Sequence, residues 1–291
     1  LAFAAPYGVK TIFTDLEEMA ATDKIDAVYI ASPNKLHIEQ ARVFLEHGKH
    51  VICEKPLSAH AKDVAELQAL AKECGLIYLE AIMFMHLPQR KLLEEALKKI
   101  GDISVAKIDF CQRSSKYDAY LAGSLPNIFN PALETGALMD LGVYCVYPAL
   151  YLFGNPQNTL AVSHLLASGA DGSDIVAMQY PDKLVNLVFS KVGQAGANTD
   201  FQGTNGTVSV ESISKLANIS IRYNNGTVEE VCGEEEKFKL MGYEAKDFYR
   251  YITEPEASRA EYERCSALAH DVSVYMEEIR KLANIRFPSD N

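Results

Sequence analysis

The chain of 291 residues is 48% hydrophobic and 23% charged, a composition typical of a globular protein with room for two modest domains. With 28 basic against 39 acidic residues its formal net charge is -11, a field that repels a phosphate backbone, so we expect no nucleic-acid partner. No apolar stretch approaches the roughly 20 residues that span a bilayer, so we expect no membrane partner.

The six cysteines form no CxxC pair and match no zinc-ligand spacing, so we expect no metal site. Most of them lie among apolar residues, as Cys145 does between Tyr144 and Val146. The N-terminus shows no basic start followed by an apolar run, and no signal peptide is visible. Buried free thiols in a cytoplasmic protein are therefore expected.

The first third of the chain alternates short apolar runs with helical stretches. Residues 27–31 and 50–53 are almost wholly apolar, which is typical of strands buried on both faces of a parallel sheet. Helices are predicted over about 37–47 and 59–74, and a third strand over 76–79. This βαβαβ order with short connections predicts a Rossmann-like, doubly wound parallel sheet.

The opening residues do not begin such a sheet in the usual way. A dinucleotide-binding domain normally starts with a strand, a glycine-rich phosphate turn and a helix, but the sequence contains no G-x-G-x-x-G pattern. Residues 1–9 instead resemble the end of a helix, with Gly8 as its cap. We therefore expect residues 1–85 to be the remainder of a dinucleotide-binding domain, whose first βαβ piece of about 45 residues lies upstream.

Beyond about residue 100 the pattern indicates antiparallel strands, with one strand over 104–110. A helix is expected over about 134–153, and a long helix over 257–283 closes the chain. Three turn signals separate further strand-like runs. These signals are Asn205-Gly206, the turn between 176–180 and 184–190, and the turn between 219–223 and 227–231. Residues 86–291 are therefore expected to form an α+β domain with a large, mostly antiparallel sheet.

Cys53-Glu54-Lys55-Pro56 directly follows the second predicted strand. In open α/β sheets, ligands bind in the crevice outside the carboxyl ends of the strands. A lysine there could donate a proton, polarise a substrate oxygen or contact a cofactor, and Pro56 would restrict the backbone after it. On position alone, an ordinary surface lysine is the favoured interpretation.

Ser32-Pro33-Asn34 occupies the matching position after the preceding strand, and His37 follows three residues later. Side chains at this edge of the sheet could meet a nicotinamide ribose. Alternatively, Ser32 or Asn34 could cap the following helix without any ligand, and both roles can hold at once.

Gly136, Asp140 and Tyr144 are spaced four residues apart, so they fall on one face of the helix predicted over 134–153. Glycine costs a helix roughly 1 kcal/mol against alanine, so the pair Gly136 and Gly142 suggests that something approaches closely. The alternative is a buried tyrosine in a helix that packs on the sheet.

These segments occur in the order found in the Gfo/Idh/MocA family, and the chain resembles that family over essentially its whole length. The Glu-Lys-Pro at residues 54–56 is the most specific motif, and the segments 31–37 and 136–144 match two others. The resemblance implies NAD or NADP as the cofactor and hydride transfer to or from a sugar, polyol or diol-like substrate. The residues that it implies at the cofactor are Ser32, Pro33, Asn34, His37, Glu54, Lys55 and Pro56.

Three positions refine the resemblance. Tyr144 stands where inositol dehydrogenases of the family carry histidine, which is similar to glucose–fructose oxidoreductase and, more closely, to dimeric dihydrodiol dehydrogenase. Met85 stands where many relatives carry arginine, and because a thioether cannot hold a carboxylate or phosphate, anionic substrates are disfavoured. The residues Glu134-Thr135-Gly136 replace the glycine-rich segment that usually precedes this helix motif in the family. The resemblance therefore assigns Met85 and Gly136 to the substrate pocket.

Oxidation of an alcohol requires a base for the hydroxyl proton. The hypothesis for this chain is that Tyr144 takes the proton, that a positive Lys55 favours the phenolate, and that Asp140 orients Lys55 or a substrate hydroxyl. An alternative makes Lys55 itself the proton carrier.

Two other functions occur on this fold, a cofactor-sensing regulator without turnover and an NAD-dependent glycosidase. The joint presence of Lys55 and Tyr144 favours an enzyme over a sensor. The choice between NAD and NADP stays open, because the residues that contact the 2′ position follow the second strand of a complete domain. The family resemblance also implies a homodimer or higher homo-oligomer.

Overall fold

The computed structural model describes residues 4–290. In the first third, three short strands alternate with helices in the predicted order. The elements are α1 (Leu16–Ala21), β1 (Ala27–Ile30), α2 (His37–Glu46), β2 (His50–Glu54), α3 (Ala61–Glu73) and β3 (Tyr78–Ala81). The strands pair in the order β1–β2–β3, and both pairs are parallel. The predicted Rossmann-like sheet is therefore confirmed.

The apolar runs form strands that are covered on both faces. Val51, Ile52 and Cys53 are all buried in β2, and every residue of β3 is buried. Helices α2 and α3 supply cover through their apolar faces. Because the strands are parallel, the segments after β1, β2 and β3 all meet at one edge of the sheet.

The rest of the chain builds a second, eight-stranded sheet. Its strands are β4 (Ile103–Cys111), β5 (Asn158–Leu165), β6 (Asp171–Gln179), β7 (Leu184–Ser190), β8 (Thr199–Gly203), β9 (Gly206–Ser212), β10 (Ala217–Tyr223) and β11 (Val228–Cys232). They lie in the order β11-β10-β9-β8-β4-β7-β6-β5, and every pair is antiparallel except β4 with β7. The two predicted hairpins, β6 with β7 and β10 with β11, are confirmed.

Five further α-helices accompany this sheet. They are α4 (Gln89–Lys99), α5 (Tyr117–Leu121), α6 (Val143–Phe153), α7 (Lys237–Thr253) and α8 (Pro255–Leu282). The closing helix α8 also packs on α3, where Gln68 donates a 2.7 Å hydrogen bond to the Ser266 carbonyl and the Ala61 amide donates to Glu277 at 2.9 Å. The division at residue 85 stays a prediction. Within the described residues, no helix is both long and apolar enough to cross a bilayer.

Two predicted helices differ from the structure. The helix expected over 134–153 begins later, because Glu134 has a left-handed φ of 58°, and its first turn, Leu138–Gly142, is a π-helix that runs straight into α6. The helix end expected over residues 1–9 is a 3-10 turn at Ala5–Tyr7 that Gly8 closes with a φ of 68°. The first three residues of that expectation lie outside the described part of the chain.

Candidate functional site

The lysine after β2 lies at the centre of a buried polar cluster. The Lys55 ammonium donates one hydrogen bond to the Asp140 carbonyl and one to Asp140 Oδ1, both at 2.9 Å. It also lies 4.9 Å from the centre of the Tyr144 ring. The Lys55 side chain is only 12% exposed, so it is not an ordinary surface lysine. The structure thus brings together the three residues expected to be catalytic.

Two local features position this cluster. Lys55 follows the last residue of β2 and precedes Pro56 through a cis peptide bond. Asp140 lies in the π turn, and Tyr144 lies four residues later in the first turn of α6, so both face the same edge of the sheet. Single π turns inside α-helices occur frequently at functional sites.

A second lysine, which sequence reasoning missed, contacts the same carboxylate. The Lys191 ammonium donates to Asp140 Oδ2, while Lys55 donates to Oδ1. Burial works to raise the pKa of Asp140, but the two ammonium groups outweigh it and lower that pKa to about 2. The available signal was position, because Lys191 directly follows β7 just as Lys55 directly follows β2.

The Tyr144 hydroxyl keeps its proton more strongly than a free phenol does. Burial is the main reason that its pKa is raised, and the negative charges of Glu54 and Asp140 add to that rise, while Lys55 opposes it only in part. Lys55 thus favours the phenolate, as expected, but burial outweighs its effect and the net shift keeps the phenol protonated. Burial also disfavours the charged form of Lys55, yet Asp140 and Tyr144 outweigh it and raise the pKa of Lys55.

The segment after β1 is held to the site by its own side chains. Asn34 Nδ2 donates a 2.8 Å hydrogen bond to the Glu134 carbonyl, which ties this loop to the start of the site helix. The 3-10 turn at Asn34–Leu36 has no side-chain cap, so neither Ser32 nor Asn34 plays the expected capping role. Ser32 Oγ is buried and has no hydrogen-bond partner among residues 4–290.

His37 does not offer its ring to a ligand, which corrects its expected contact with the cofactor. The residue is fully buried, and its Nδ1 and Nε2 lie 2.9 Å from the carbonyl oxygens of Pro56 and Ser32 respectively. The imidazole therefore links the loop after β1 to the loop after β2. Its role is to position the neighbouring residues.

The two residues expected in the substrate pocket also have other environments. Met85 is 2% exposed in the 3-10 turn at Met83–Met85, and it lies in the core, where it lines a small cavity together with Leu57 and Tyr147. At position 136, a Cβ atom would lie 1.8 Å from Asp171 Oδ1. The close approach that Gly136 permits is thus made by a protein carboxylate. Both assignments to the substrate pocket are corrected by this packing.

Buried carboxyl groups surround the base of the site. Glu80 accepts hydrogen bonds from the Leu57 amide at 3.1 Å and from the Tyr147 hydroxyl, and burial raises its pKa to about 7 despite those bonds. Glu244 of α7 is also buried, and burial together with the charges of Glu54 and Glu80 raises its pKa to about 8. Glu54 itself accepts a 2.7 Å hydrogen bond from the Tyr29 hydroxyl. No cluster in the described residues is suited to a metal ion.

Comparison with known proteins identifies this arrangement. A model described as "Oxidoreductase family, NAD-binding Rossmann fold" matches residues 1–81, and a "GFO/IDH/MocA C-terminal domain" model matches residues 90–209. The scyllo-inositol 2-dehydrogenase (NADP(+)) of Bacillus subtilis is 41% identical over 290 residues, which are 99% of this chain and 87% of that protein. The chain belongs to the Gfo/Idh/MocA family.

Other Gfo/Idh/MocA relatives agree with this result. Mouse trans-1,2-dihydrobenzene-1,2-diol dehydrogenase is 28% identical over 304 residues, with 99% of this chain and 86% of that protein covered. The crystal structure of a 3-ketoreductase from Actinomadura kijaniata, with NADP and TDP-benzene, superposes with a TM-score of 0.80. It is 23% identical and covers 94% of this chain and 84% of its own, so it supports the fold alone.

As a Gfo/Idh/MocA protein, the chain is an NAD(P)-dependent oxidoreductase that acts on CH–OH groups. The matching relatives named above are dehydrogenases, so the prediction of an enzyme is confirmed over a sensing regulator or a glycosidase. The carboxyl edge of the parallel sheet fits a nicotinamide cofactor, because the buried Ser32 hydroxyl there has no partner in residues 4–290.

Proposed function

We propose that this chain catalyses reversible hydride transfer between NADP and a hydroxyl-bearing carbon of a cyclic polyol or diol, with Lys55, Asp140 and Tyr144 as catalytic residues. The observation that carries the proposal is the Lys55 ammonium, held by Asp140 beside the Tyr144 ring at the cofactor edge of the sheet. The substrate class and the preference for NADP rest on the relatives, which include an NADP-dependent scyllo-inositol dehydrogenase and a dihydrobenzene-diol dehydrogenase.

When bound, the nicotinamide supplies or accepts the hydride. Ser32, Pro33, Asn34 and the main chain of residues 54–56 would hold it at the ends of β1 and β2. The free Ser32 hydroxyl supports this assignment, since a buried hydroxyl normally has a partner. His37 would act indirectly by fixing both loops.

Lys55 would bind the reacting oxygen. An ammonium has three N–H donors, and Asp140 takes two of those of Lys55, which leaves one for a substrate oxygen. Its positive charge stabilises the negative charge that develops on that oxygen as the hydride moves. Asp140 keeps Lys55 protonated and oriented, because the pKa of Asp140 is about 2 and its carboxylate is therefore ionised at neutral pH.

Tyr144 would move the proton. The structure shows no hydrogen bond of its hydroxyl to another group in residues 4–290, so the hydroxyl is free to bond a substrate oxygen. Because its pKa is raised, the phenol holds its proton at neutral pH and can give it to a carbonyl oxygen during reduction. In the oxidation direction the phenolate takes the hydroxyl proton, so oxidation should become faster as the pH rises.

The test is the pH–rate profile of purified protein with NADP, measured for Tyr144→Phe and Lys55→Met against the unchanged protein. We expect each variant to lose turnover by about 100- to 10,000-fold, the usual contribution of a positioned proton-transfer group. Tyr144→Phe should also lose the rise of the oxidation rate with pH. If Tyr144→Phe keeps near-normal turnover and the same profile while Lys55→Met is inactive, Lys55 is the proton carrier.

We also infer that the protein is a cytoplasmic homodimer. The outer strands of the large sheet expose apolar side chains on one face, where Val162 pairs with Ile175 and Ile175 with Val188. Leu160 and Val162 are 67% and 64% exposed, an unusual condition for neighbouring aliphatic side chains. All six cysteines are free thiols, as in a reducing compartment. Light scattering that finds a monomer at micromolar concentration would contradict the dimer.

A further inference from the structure

Asp140 lies between two ammonium groups. Lys55 contacts Oδ1 and the main-chain carbonyl, and Lys191 contacts Oδ2. The side chains of Lys55 and Lys191 are 12% and 10% exposed, whereas that of Asp140 is 28% exposed. Solvent therefore reaches the cluster mainly at the Asp140 carboxylate. We call these three residues the ion triplet.

Lys191 is held in place by its own backbone. Its amide donates a 2.8 Å hydrogen bond to the Gly172 carbonyl, and its carbonyl accepts one of 2.8 Å from the Ser114 amide. The residue lies directly after β7, so the end of the sheet fixes where its side chain begins. The backbone of Lys191 is therefore fixed by the end of the sheet, and from there its side chain reaches Asp140.

The two ammonium groups of the ion triplet carry more N–H donors than Asp140 accepts. Two lysines and one aspartate leave a net positive charge at a largely buried place, where an uncompensated charge is costly. The Lys191 ammonium has three N–H donors, of which Asp140 accepts one, and no other group in residues 4–290 accepts the remaining two.

We propose that Lys191 is a specificity-determining residue that binds the substrate hydroxyl next to the reacting one. Lys55 would hold the reacting oxygen and Lys191 the oxygen on the adjacent carbon, while Asp140 sets the separation of the two ammonium groups. The substrate class is then the vicinal diol, in a ring polyol or a simple cyclic diol. This inference rests on the proposed function, because it assumes that Lys55 binds the reacting oxygen.

The experiment compares a vicinal diol with a matched alcohol that has a single hydroxyl. We would measure kcat/KM for trans-cyclohexane-1,2-diol and for cyclohexanol with NADP, in the unchanged protein and in Lys191→Met, Lys191→Arg and Lys183→Met. Lys183 is the matched control, since it stands at the other end of the β6–β7 hairpin and pairs with Asp182. Thermal unfolding and circular dichroism of each variant show that it is folded.

We expect Lys191→Met to lower kcat/KM for the diol by about 10- to 100-fold more than kcat/KM for cyclohexanol, which is the size of one hydrogen bond to a charged group. Lys191→Arg should keep part of the preference for the diol, because its charge and donors remain. Lys183→Met should change neither value. An equal loss on both alcohols would overturn the proposal, because Lys191 would then act only by positioning Asp140. An unchanged preference in Lys191→Met would overturn it as well.

Calorimetric titration of the diol into the NADP-bound protein separates this inference from the proposed function. If the unchanged protein binds the diol without oxidising it, and Lys191→Met binds it at least 10-fold more weakly, the role of Lys191 stands and the proposed reaction fails. If neither protein binds the diol, or both bind it equally, the role of Lys191 is wrong. Lys191→Arg serves both measurements if Lys191→Met does not fold.

Discussion

Two buried clusters of acidic side chains contact the helical segment that begins at Leu138, and the carboxyl groups in the two clusters have opposite protonation states. The ion triplet on its flank pairs Asp140 with two lysines, so the carboxylate stays ionised with a pKa of about 2. At its start, Asp171 and Asp174 are buried and form no ion pair with any residue in 4–290, and burial together with the charge of Asp171 raises the pKa of Asp174 far above its usual range. The first cluster needs its charges, whereas the second needs a proton.

The second cluster also shapes the helix. Asp171 Oδ2 accepts a 2.6 Å hydrogen bond from the Leu138 amide, at the first turn of the π segment. A carboxylate at a helix start is favourable, since the first amides lack partners and carry partial positive charge. Asp171 therefore fixes where the helix begins, and Asp140 is two residues further on. Because packing keeps a proton on Asp174 but keeps Asp140 ionised, neutralising Asp174 should have the opposite effect on stability to neutralising Asp140.

The largest expected effect comes from Asp140→Asn. This change leaves two largely buried ammonium groups without a counter-charge, so we expect the free energy of unfolding to fall by about 3 kcal/mol, as when one partner of a buried pair is removed. Urea unfolding at neutral pH measures it. Asp118→Asn is the control, because its ion pair with Arg113 is exposed and should matter little. Equal stability of Asp140→Asn and the unchanged protein would contradict the account of the ion triplet.

Gly136→Ala should have the next largest effect. The added methyl group would overlap Asp171 Oδ1, so the start of the helix or the carboxylate must move, at a cost of about 1 to 3 kcal/mol in stability. Gly196→Ala is the matched control, because a Cβ there meets nothing within 4 Å. Thermal unfolding compares the two. The overlap is contradicted if both alanine variants melt at the same temperature, and it is supported if a shorter side chain at position 171 restores stability to Gly136→Ala.

The effect with the opposite sign is expected for Asp174→Asn. The folded-state pKa of Asp174 is raised above its unfolded value near 4, so the folded protein keeps a proton that the unfolded chain releases. Stability therefore falls as the pH rises from about 4 towards that raised pKa, by at most about 1.4 kcal/mol per pH unit. Asparagine carries no such proton, so Asp174→Asn should be the more stable protein at pH 8.

Urea unfolding at pH 5, 6, 7 and 8 checks this expectation. The advantage of Asp174→Asn should shrink as the pH falls, because the unfolded aspartate then also becomes protonated. Asp102→Asn, an exposed position in the same half of the chain, should show no such trend. A difference between Asp174→Asn and the unchanged protein that does not vary with pH would show that the carboxyl pair does not hold the extra proton.

Local patterns predicted the elements of the fold and the first members of the site. Apolar runs gave β1 and β2, turn signals gave the hairpins of the large sheet, and Lys55 was found because it follows a buried strand. Strands with weaker patterns were missed, as was β5, whose exposed Leu160 and Val162 blur the difference between its faces. The roles of Met85, His37 and Gly136 were misjudged, because the neighbouring residues in the sequence do not show which distant residues pack against a given position.

By itself, then, the sequence determined the order of strands and helices from β1 to β3, the place of Lys55 after β2, and the spacing that sets Asp140 and Tyr144 on one face. These are properties of a few neighbouring residues and their backbone period. Only the tertiary structure decided that Lys191 joins Asp140 across 51 residues and that Asp171 fills the space beside Gly136. The protonation of the buried carboxyl groups was decided there too, because it depends on how much water and how many counter-charges packing leaves around each one.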